Sequence, residues 1–248
     1  MYILGDIGNS DTKIFLVNNK SKIIKKFTCT TKNLNHVKIN KLFNHFKVDY
    51  KKLKKLLFCS VVPSSFLKIK KFLSKKTKIK CHEVKSLNLK SLIKIKANYK
   101  QVGSDRLTNA ISLIDKKSNF IILDFGTATT FDVLIKNTYF GGIIAPGVRL
   151  SLNTLSDKAT LIPKIDLKKI KNIIGKDTTT AVRAGFFWGY TGLIDNIINL
   201  IKKETNKPFK ILITGGFSKL FKNSIKTKVT LNKDITIKGL IKATTLIK

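Results

Sequence analysis

Arginine is nearly absent from this chain. Of 49 basic residues among 248, only Arg106, Arg149 and Arg183 are arginine, and 14 acidic residues leave a formal net charge of +35. A field of that size raises the question of a nucleic-acid partner. The missing arginine argues against one, because base readout and a tight grip on phosphate favour the bidentate guanidinium fork. The lysines are also scattered in pairs, from Lys25-Lys26 through Lys70-Lys71 to Lys202-Lys203, instead of forming one basic segment. Lysine, isoleucine, asparagine and phenylalanine are all abundant, the pattern that A/T-rich codons would produce. The composition reads as a solvated lysine surface, which still draws in small anions such as nucleotides and carboxylates.

Cysteine is scarce too. Cys29, Cys59 and Cys81 are odd in number and have no CxxC spacing, which speaks for reduced cytosolic thiols over disulfides or a metal site. No apolar run reaches the roughly 18 residues that a membrane-spanning helix requires. The opening Met1-Tyr2-Ile3-Leu4-Gly5-Asp6 lacks the basic-then-apolar order of a secretory leader. The expectation is a cytoplasmic protein with no membrane partner. Hydrophobic residues make up 43% of the chain, and its length suits one large domain or two lobes with a real core.

The pattern along the chain alternates strands and helices. Tyr2–Asp6 and Lys13–Val17 read as strands around the polar turn Gly8-Asn9-Ser10-Asp11, and Ile23–Thr28 continues the sheet. Ile39, Leu42, Phe43 and Phe46 have helical spacing, Leu56–Val62 is an apolar strand ending at Pro63, and a helix with Phe66, Ile69, Phe72 and Leu73 follows. Ile79–Val84 reads as a strand and Arg106–Ile114 as a helix. The opening then recurs nearly half the chain later. Phe120–Leu123 is a strand, Asp124-Phe125-Gly126-Thr127-Ala128-Thr129 a polar turn, and Thr130–Ile135 another strand. Tyr139–Gly142, helices over Val148–Ala159 and about Thr178–Ile201, a strand at Ile211–Thr214 and the Gly215-Gly216 turn complete the second half. The reading is an internal duplication into two α/β lobes, residues 1–116 and 117–248, parted at the polar stretch Asp115–Asn119.

The repeated turns suit phosphate chemistry. Glycine after an aspartate at a strand end lets a ligand approach the backbone, whose N–H groups can form an anion-binding nest. Asn9, Ser10, Thr127, Thr129 and Thr130 add short donors, and Asp6 and Asp124 could each hold a hydrated cation beside a phosphate. Two ordinary hairpins would use the same residues for turn geometry, and it is the pair, with Gly215-Gly216, that favours the phosphate reading. Gly103-Ser104-Asp105-Arg106 opens a helix. There the aspartate is either a plain N-cap or a carboxylate placed to accept a hydroxyl proton beside a guanidinium.

Eight segments, in order, give the sequence a family resemblance: Asp6-Ile7-Gly8-Asn9-Ser10-Asp11-Thr12-Lys13, Ser60-Val61-Val62-Pro63, Gly103-Ser104-Asp105-Arg106, Asp124-Phe125-Gly126-Thr127-Ala128-Thr129-Thr130, Gly141–Gly147, Ile174–Thr178, Gly189–Leu193 and Thr214-Gly215-Gly216. Together they resemble the type III pantothenate kinases, of the superfamily that holds acetate kinase, sugar kinases, heat-shock cognate protein and actin. The resemblance implies two actin-like (ribonuclease H-like) lobes with mixed five-stranded sheets flanked by helices. It implies ATP-dependent phosphorylation of the primary hydroxyl of pantothenate, the first step of coenzyme A synthesis, in a homodimer whose interface lies in the C-terminal lobe and completes the pantothenate pocket. Asp6, Ile7, Gly8, Asn9, Ser10, Asp11, Thr12 and Lys13 match the first ATP loop and Thr127 a second ATP contact. Asp105 matches the proton acceptor, and Gly103, Ser104, Asp105, Arg106 and Thr178 match pantothenate contacts. Asp124 matches the ligand of an activating monovalent cation, potassium or ammonium, while magnesium accompanies ATP. The family's substrate-contacting tyrosine has one counterpart here, Tyr99, in a segment that is shorter and lacks the family's proline.

Other readings remain on the same residues. A nucleic-acid-binding or transcription-accessory protein on this fold would dispense with Asp105 and Asp124, both of which are present. A superfamily kinase for a sugar or acetate would keep the loops and differ in its acceptor, and a non-catalytic nucleotide scaffold would bind ATP without releasing ADP.

Overall fold

The two Asp-x-Gly turns each sit at the end of a central strand in one of two sheets. A computed structural model describes residues 1–247. Its elements are β1 (Tyr2–Ile7), β2 (Asp11–Val17), β3 (Ile23–Thr30), α1 (His36–Phe46), β4 (Lys55–Ser60), α2 (Pro63–Ser74), β5 (Cys81–Glu83), β6 (Lys94–Ile95) and α3 (Ser104–Leu113). Then follow β7 (Asn119–Phe125), β8 (Ala128–Ile135), β9 (Thr138–Pro146), α4 (Val148–Lys158), α5 (Thr178–Thr205), β10 (Lys210–Gly215), α6 (Ser218–Phe221), β11 (Val229–Leu231) and α7 (Ile235–Ala243).

The first sheet has the order β3-β2-β1-β4-β5. β1 runs antiparallel to β2 and parallel to β4, so Asp6 lies between Lys13 on one side and Cys59 on the other. Alternation along β1 sends Ile3 and Ile7 into a core with Ile39, Phe43 and Phe46 of α1 and Ile69, Phe72 and Leu73 of α2. Side chains that share Asp6's face, Leu4 and Cys59 among them, point away from that core. α3 and α7 pack on each other and on β1 and β4.

The second sheet repeats this plan as β9-β8-β7-β10-β11. β7 is antiparallel to β8 and parallel to β10, so Asp124 lies between Thr130 and Thr214. Ile121, Leu123 and Phe125 face a core with Leu152 of α4, Phe187, Ile194 and Ile198 of α5, and Phe221. The Phe221 ring stacks on Phe125 at 5.3 Å and on Phe187 at 5.6 Å. The shared strand order and shared central position of the aspartate are what an internal duplication produces. The second sheet departs from five strands by one short addition: β6 pairs in parallel with Thr138 and Tyr139 at the start of β9.

Contacts divide the chain into two compact units. One comprises Met1–Ile114, Asn137–Tyr139 and the residues from Asp234 onward, and the other Asp115–Lys136 and Phe140–Lys233. The chain thus returns to its first unit at the end. Thr236 Oγ1 donates to Asn109 Oδ1 at 2.8 Å, Lys242 Nζ to the Ile114 carbonyl at 3.0 Å, and Lys55 Nζ to the Thr244 carbonyl at 2.8 Å. α7 has no counterpart in the sequence reading. Its β-branched opening Ile235-Thr236-Ile237 and internal Gly239 disfavour a helix, and burial of Ile235, Ile237, Leu240 and Ala243 overrides that preference. Among the described residues, no helix is long and apolar enough to cross a membrane.

Candidate active site

The first loop is a hairpin braced from inside. Asp6 pairs with Lys13 and Ile7 with Thr12, and the Gly8 N–H closes the turn on the Asp11 carbonyl at 3.0 Å. Thr31 Oγ1 donates to the Gly8 carbonyl at 2.7 Å, which leaves its oxygen to accept from Thr12 Oγ1 at 2.9 Å. Thr12 and Ile7 are buried, so they offer a ligand only backbone atoms, while Asn9, Ser10 and Asp11 are exposed at the tip.

Asp6 carries the electrostatics of this unit. Lys13 Nζ stands 3.8 Å from Asp6 Oδ2, and the Cys59 thiol donates to Oδ1 at 3.6 Å. Burial pushes the Asp6 carboxyl up to about 6 against the pull of Lys13, with the nearby Asp105 and Asp11 charges adding to the rise. Cys59, wholly buried beside Asp6 and Asp105, is pushed well above the thiol range and is no nucleophile.

Asp105 is not the N-cap of α3. Gly103 holds that position and supplies no side-chain cap. Asp105 sits in the first turn, where its Oδ1 accepts from the Arg106 N–H at 2.8 Å. Burial raises its proton affinity, and the bond to and charge of Arg106 oppose that rise. Gly103 leaves the carboxylate its room, since a Cβ there would lie 2.5 Å from Asp105 Oδ1.

Ser104 and Tyr99 have partners that the sequence did not reveal. Ser104, 2% exposed, donates its hydroxyl to Glu83 Oε1. Glu83 Oε2 accepts from the Lys85 N–H at 2.7 Å. Tyr99 donates its hydroxyl to the Lys85 carbonyl at 2.7 Å, with the Lys85 ammonium 5.1 Å from its ring centre. Glu83 lies 21 residues before Ser104, and the local signal that could have found it is a carboxylate ending a strand in a chain poor in acid.

The second loop is the same hairpin with a turn one residue shorter. Asp124 pairs with Thr130 and Phe125 with Thr129, and the Gly126 N–H bonds the Ala128 carbonyl at 3.0 Å. Thr127 is exposed at the tip. Gly215 comes close beneath, with φ of 86°, and a Cβ there would sit 2.5 Å from the Phe125 carbonyl oxygen and 2.6 Å from Asp124 Oδ1. Only glycine both adopts this backbone and leaves those two oxygens uncovered. Thr129, the counterpart of Thr12, is fully buried with its hydroxyl unbonded.

Thr178 is the first residue of α5. Asp177 caps that helix by accepting from the Thr180 N–H at 2.8 Å, and the Asp177 N–H bonds Thr180 Oγ1 at 3.2 Å in return. Asp6, Lys13, Tyr99, Ser104, Asp105 and Arg106 therefore belong to the first unit, and Asp124, Thr127 and Thr178 to the second. Among the described residues, no group of three or more His, Cys, Asp or Glu side chains could hold a metal ion. The oxygens at Asp124 and Phe125 fit a hard cation that takes oxygen ligands, and the lone Asp6 carboxylate fits magnesium held through water and phosphate rather than in a protein cage.

The chain as a whole matches known proteins. A family model described as type III pantothenate kinase matches residues 2–200. The chain is 69% identical over 248 residues to a type III pantothenate kinase of Pelagibacter ubique (strain HTCC1062), covering 100% of both chains. It is 35% identical to one from Sulfurihydrogenibium sp. (strain YO3AOP1), covering 97% of this chain and 98% of the relative. Among solved structures, a putative 2-dehydro-3-deoxygalactonokinase from Sinorhizobium meliloti superposes with a TM-score of 0.65 over 100% of this chain and 99% of the other at 9% identity, which speaks to fold alone. The chain belongs to the type III pantothenate kinase family.

Proposed function

We propose that this protein transfers the γ-phosphoryl group of ATP to the primary hydroxyl of pantothenate, the first step of coenzyme A synthesis, with Asp105 taking up the hydroxyl proton. The observation that carries this reading is the placement of Asp105. It is a buried carboxylate at the start of α3, oriented by the Arg106 N–H and cleared of steric cover by Gly103. Burial favours its protonated form, which makes it a better proton acceptor than a solvated carboxylate, and a positioned base of this kind contributes roughly 10²–10⁴-fold.

The remaining residues bind and orient. The exposed Gly8–Asp11 turn and Lys13 meet the ATP phosphates in the first unit, and Thr127 offers a further nucleotide contact in the second. Asp6 would hold magnesium through its waters, and Asp124 with the Phe125 carbonyl would hold potassium or ammonium. Such cations supply charge neutralisation for the transferring phosphoryl group. Arg106 and Thr178 would engage pantothenate, whose carboxylate suits a guanidinium. Ser104 and Tyr99, with hydroxyls engaged by Glu83 and Lys85, contribute backbone and ring surface.

An apolar face on the second unit supports a homodimer. A hollow of about 440 Å³ is lined by Pro146, Leu155, Val182, Phe186, Tyr190 and Leu193, and Ile144 and Leu150 are 65% and 52% exposed. A soluble kinase of a metabolic acid would work in the cytoplasm. An ADP-release assay offering pantothenate beside sugars, acetate and simple alcohols decides the acceptor. Turnover with pantothenate is expected, and turnover confined to a sugar or acetate would overturn the assignment.

A further inference from the structure

The segment that leads into Asp105 has no regular secondary structure from Ala97 to Gly103, yet it must deliver the carboxylate to one place. The helix it starts has a glycine N-cap and no side-chain cap, so the usual means of fixing a helix start is missing. Two residues, one ending the edge strand β5 and one just after it, take over that task. We propose that Glu83 and Lys85 are positioning residues for the phosphoryl-transfer reaction, clamping the 99–104 segment so that Asp105 presents its carboxylate to the acceptor hydroxyl. This rests on the proton-acceptor reading of Asp105.

Glu83 ends β5, an edge strand paired with β4, opposite Phe58. One carboxylate oxygen takes the Ser104 hydroxyl and the other the Lys85 N–H. Glu83 thus joins the turn after β5 to the first residue of α3, next to Asp105. Thr108 Oγ1 in turn donates to the Ser104 carbonyl at 2.7 Å, so Ser104 is tied at both ends.

Lys85 holds the upstream part. Its ammonium donates to the Val102 carbonyl at 2.9 Å and the Lys100 carbonyl at 3.0 Å and lies 5.1 Å from the ring centre of Tyr99, whose hydroxyl bonds the Lys85 carbonyl at 2.7 Å. Those two carbonyls and the ring engage the ammonium, unlike the many lysines that face solvent. A partly buried carboxylate is costly unless its bonds are made. Glu83 also takes a backbone bond from Ser60 at the end of β4, which anchors it to the sheet, while its bonds to Ser104 and the Lys85 N–H reach the Asp105 approach. Misplacing a reacting group by about 1 Å can cost on the order of 10²-fold in rate, so a clamp of this kind acts on turnover.

The test compares Glu83→Gln, Ser104→Ala and Lys85→Met in the full-length protein with Asp105→Asn, reading kcat, KM for each substrate and the melting temperature. Glu83→Gln keeps one acceptor oxygen and turns the other into an amide NH2 that cannot accept, so the two donors Ser104 Oγ and Lys85 N–H can no longer both be met, and Ser104→Ala removes the Ser104 link from its other end without touching a charge. That keeps the test decisive where one variant folds poorly. The expected result is a kcat loss of roughly 10–100-fold in folded Glu83→Gln and Ser104→Ala, with KM for ATP unchanged. In the Asp105→Asn background, Glu83→Gln should add little further loss, because both act through one carboxylate. Folded variants that keep kcat within about two-fold, while Asp105→Asn is strongly impaired, would overturn the clamp and leave Asp105 in its role. Near-normal turnover in Asp105→Asn would instead remove the reading on which the clamp rests.

Discussion

Asp6 and Asp105, one at the end of the first strand and one in the first turn of α3, lie close enough that the charge of Asp105 raises the proton affinity of Asp6. Burial raises both carboxyls. Two buried carboxyls whose charges couple are costly to ionise together.

The cost of Asp6 can be measured. In the folded chain its carboxyl holds a proton up to about pH 6, against an ordinary value of 3.8. Between those values the native state binds more protons than the unfolded chain, so this group's contribution to stability is present at low pH and is lost as pH rises through 6. Asp6→Asn should therefore melt higher than wild type at pH 8, by an amount on the order of 2–3 kcal/mol, and the gap should close toward pH 4. The same variant should lose most kinase activity. Equal melting temperatures across pH 4–8 would contradict the burial of an ionised Asp6.

Gly103 separates folding from catalysis. Its φ of −60° is open to any residue, so Gly103→Ala should fold normally. The added methyl would meet Asp105 Oδ1 at 2.5 Å and turn the carboxylate aside. A kcat loss of about 10²-fold with little change in melting temperature is expected, measured by steady-state kinetics and thermal denaturation.

The paired threonines should respond oppositely to one substitution. Thr12→Val breaks a buried hydroxyl pair with Thr31 and should cost about 1 kcal/mol. Thr129→Val removes a buried hydroxyl that has no partner, and should be neutral or stabilising by up to about 1 kcal/mol. Chemical denaturation of the two variants checks the contrast.

Gly215→Ala should remove dependence on potassium or ammonium. The substitution forces a side chain into a left-handed backbone, costing on the order of 1 kcal/mol, and its methyl would fall 2.5 Å from the Phe125 carbonyl oxygen and 2.6 Å from Asp124 Oδ1, so the backbone at Phe125 must also shift. Activity titrated with potassium chloride should rise with salt in wild type and stay low and flat in the variant.

The hairpins were legible because glycine, aspartate and short polar residues punctuate two apolar strands, and turn chemistry is local. The start of α3 was legible for the same reason. Glu83 was not, because its partner Ser104 is reached only through the fold. Nor could the sequence reveal that Thr12 and Ser104 spend their hydroxyls inside the protein, or that Tyr99 bonds a backbone carbonyl. α7 was hidden by its own residues: Ile235, Thr236, Ile237 and Gly239 argue locally against a helix, and packing on α3 and β1 decides otherwise.

The most direct measurement is ADP release by the purified protein with ATP, magnesium, potassium and pantothenate, run beside Asp105→Asn of equal melting temperature. Pantothenate-dependent turnover that falls by roughly 10²–10⁴-fold in the variant is the predicted result. Turnover that does not require pantothenate, or that survives the loss of the Asp105 carboxylate, would contradict it.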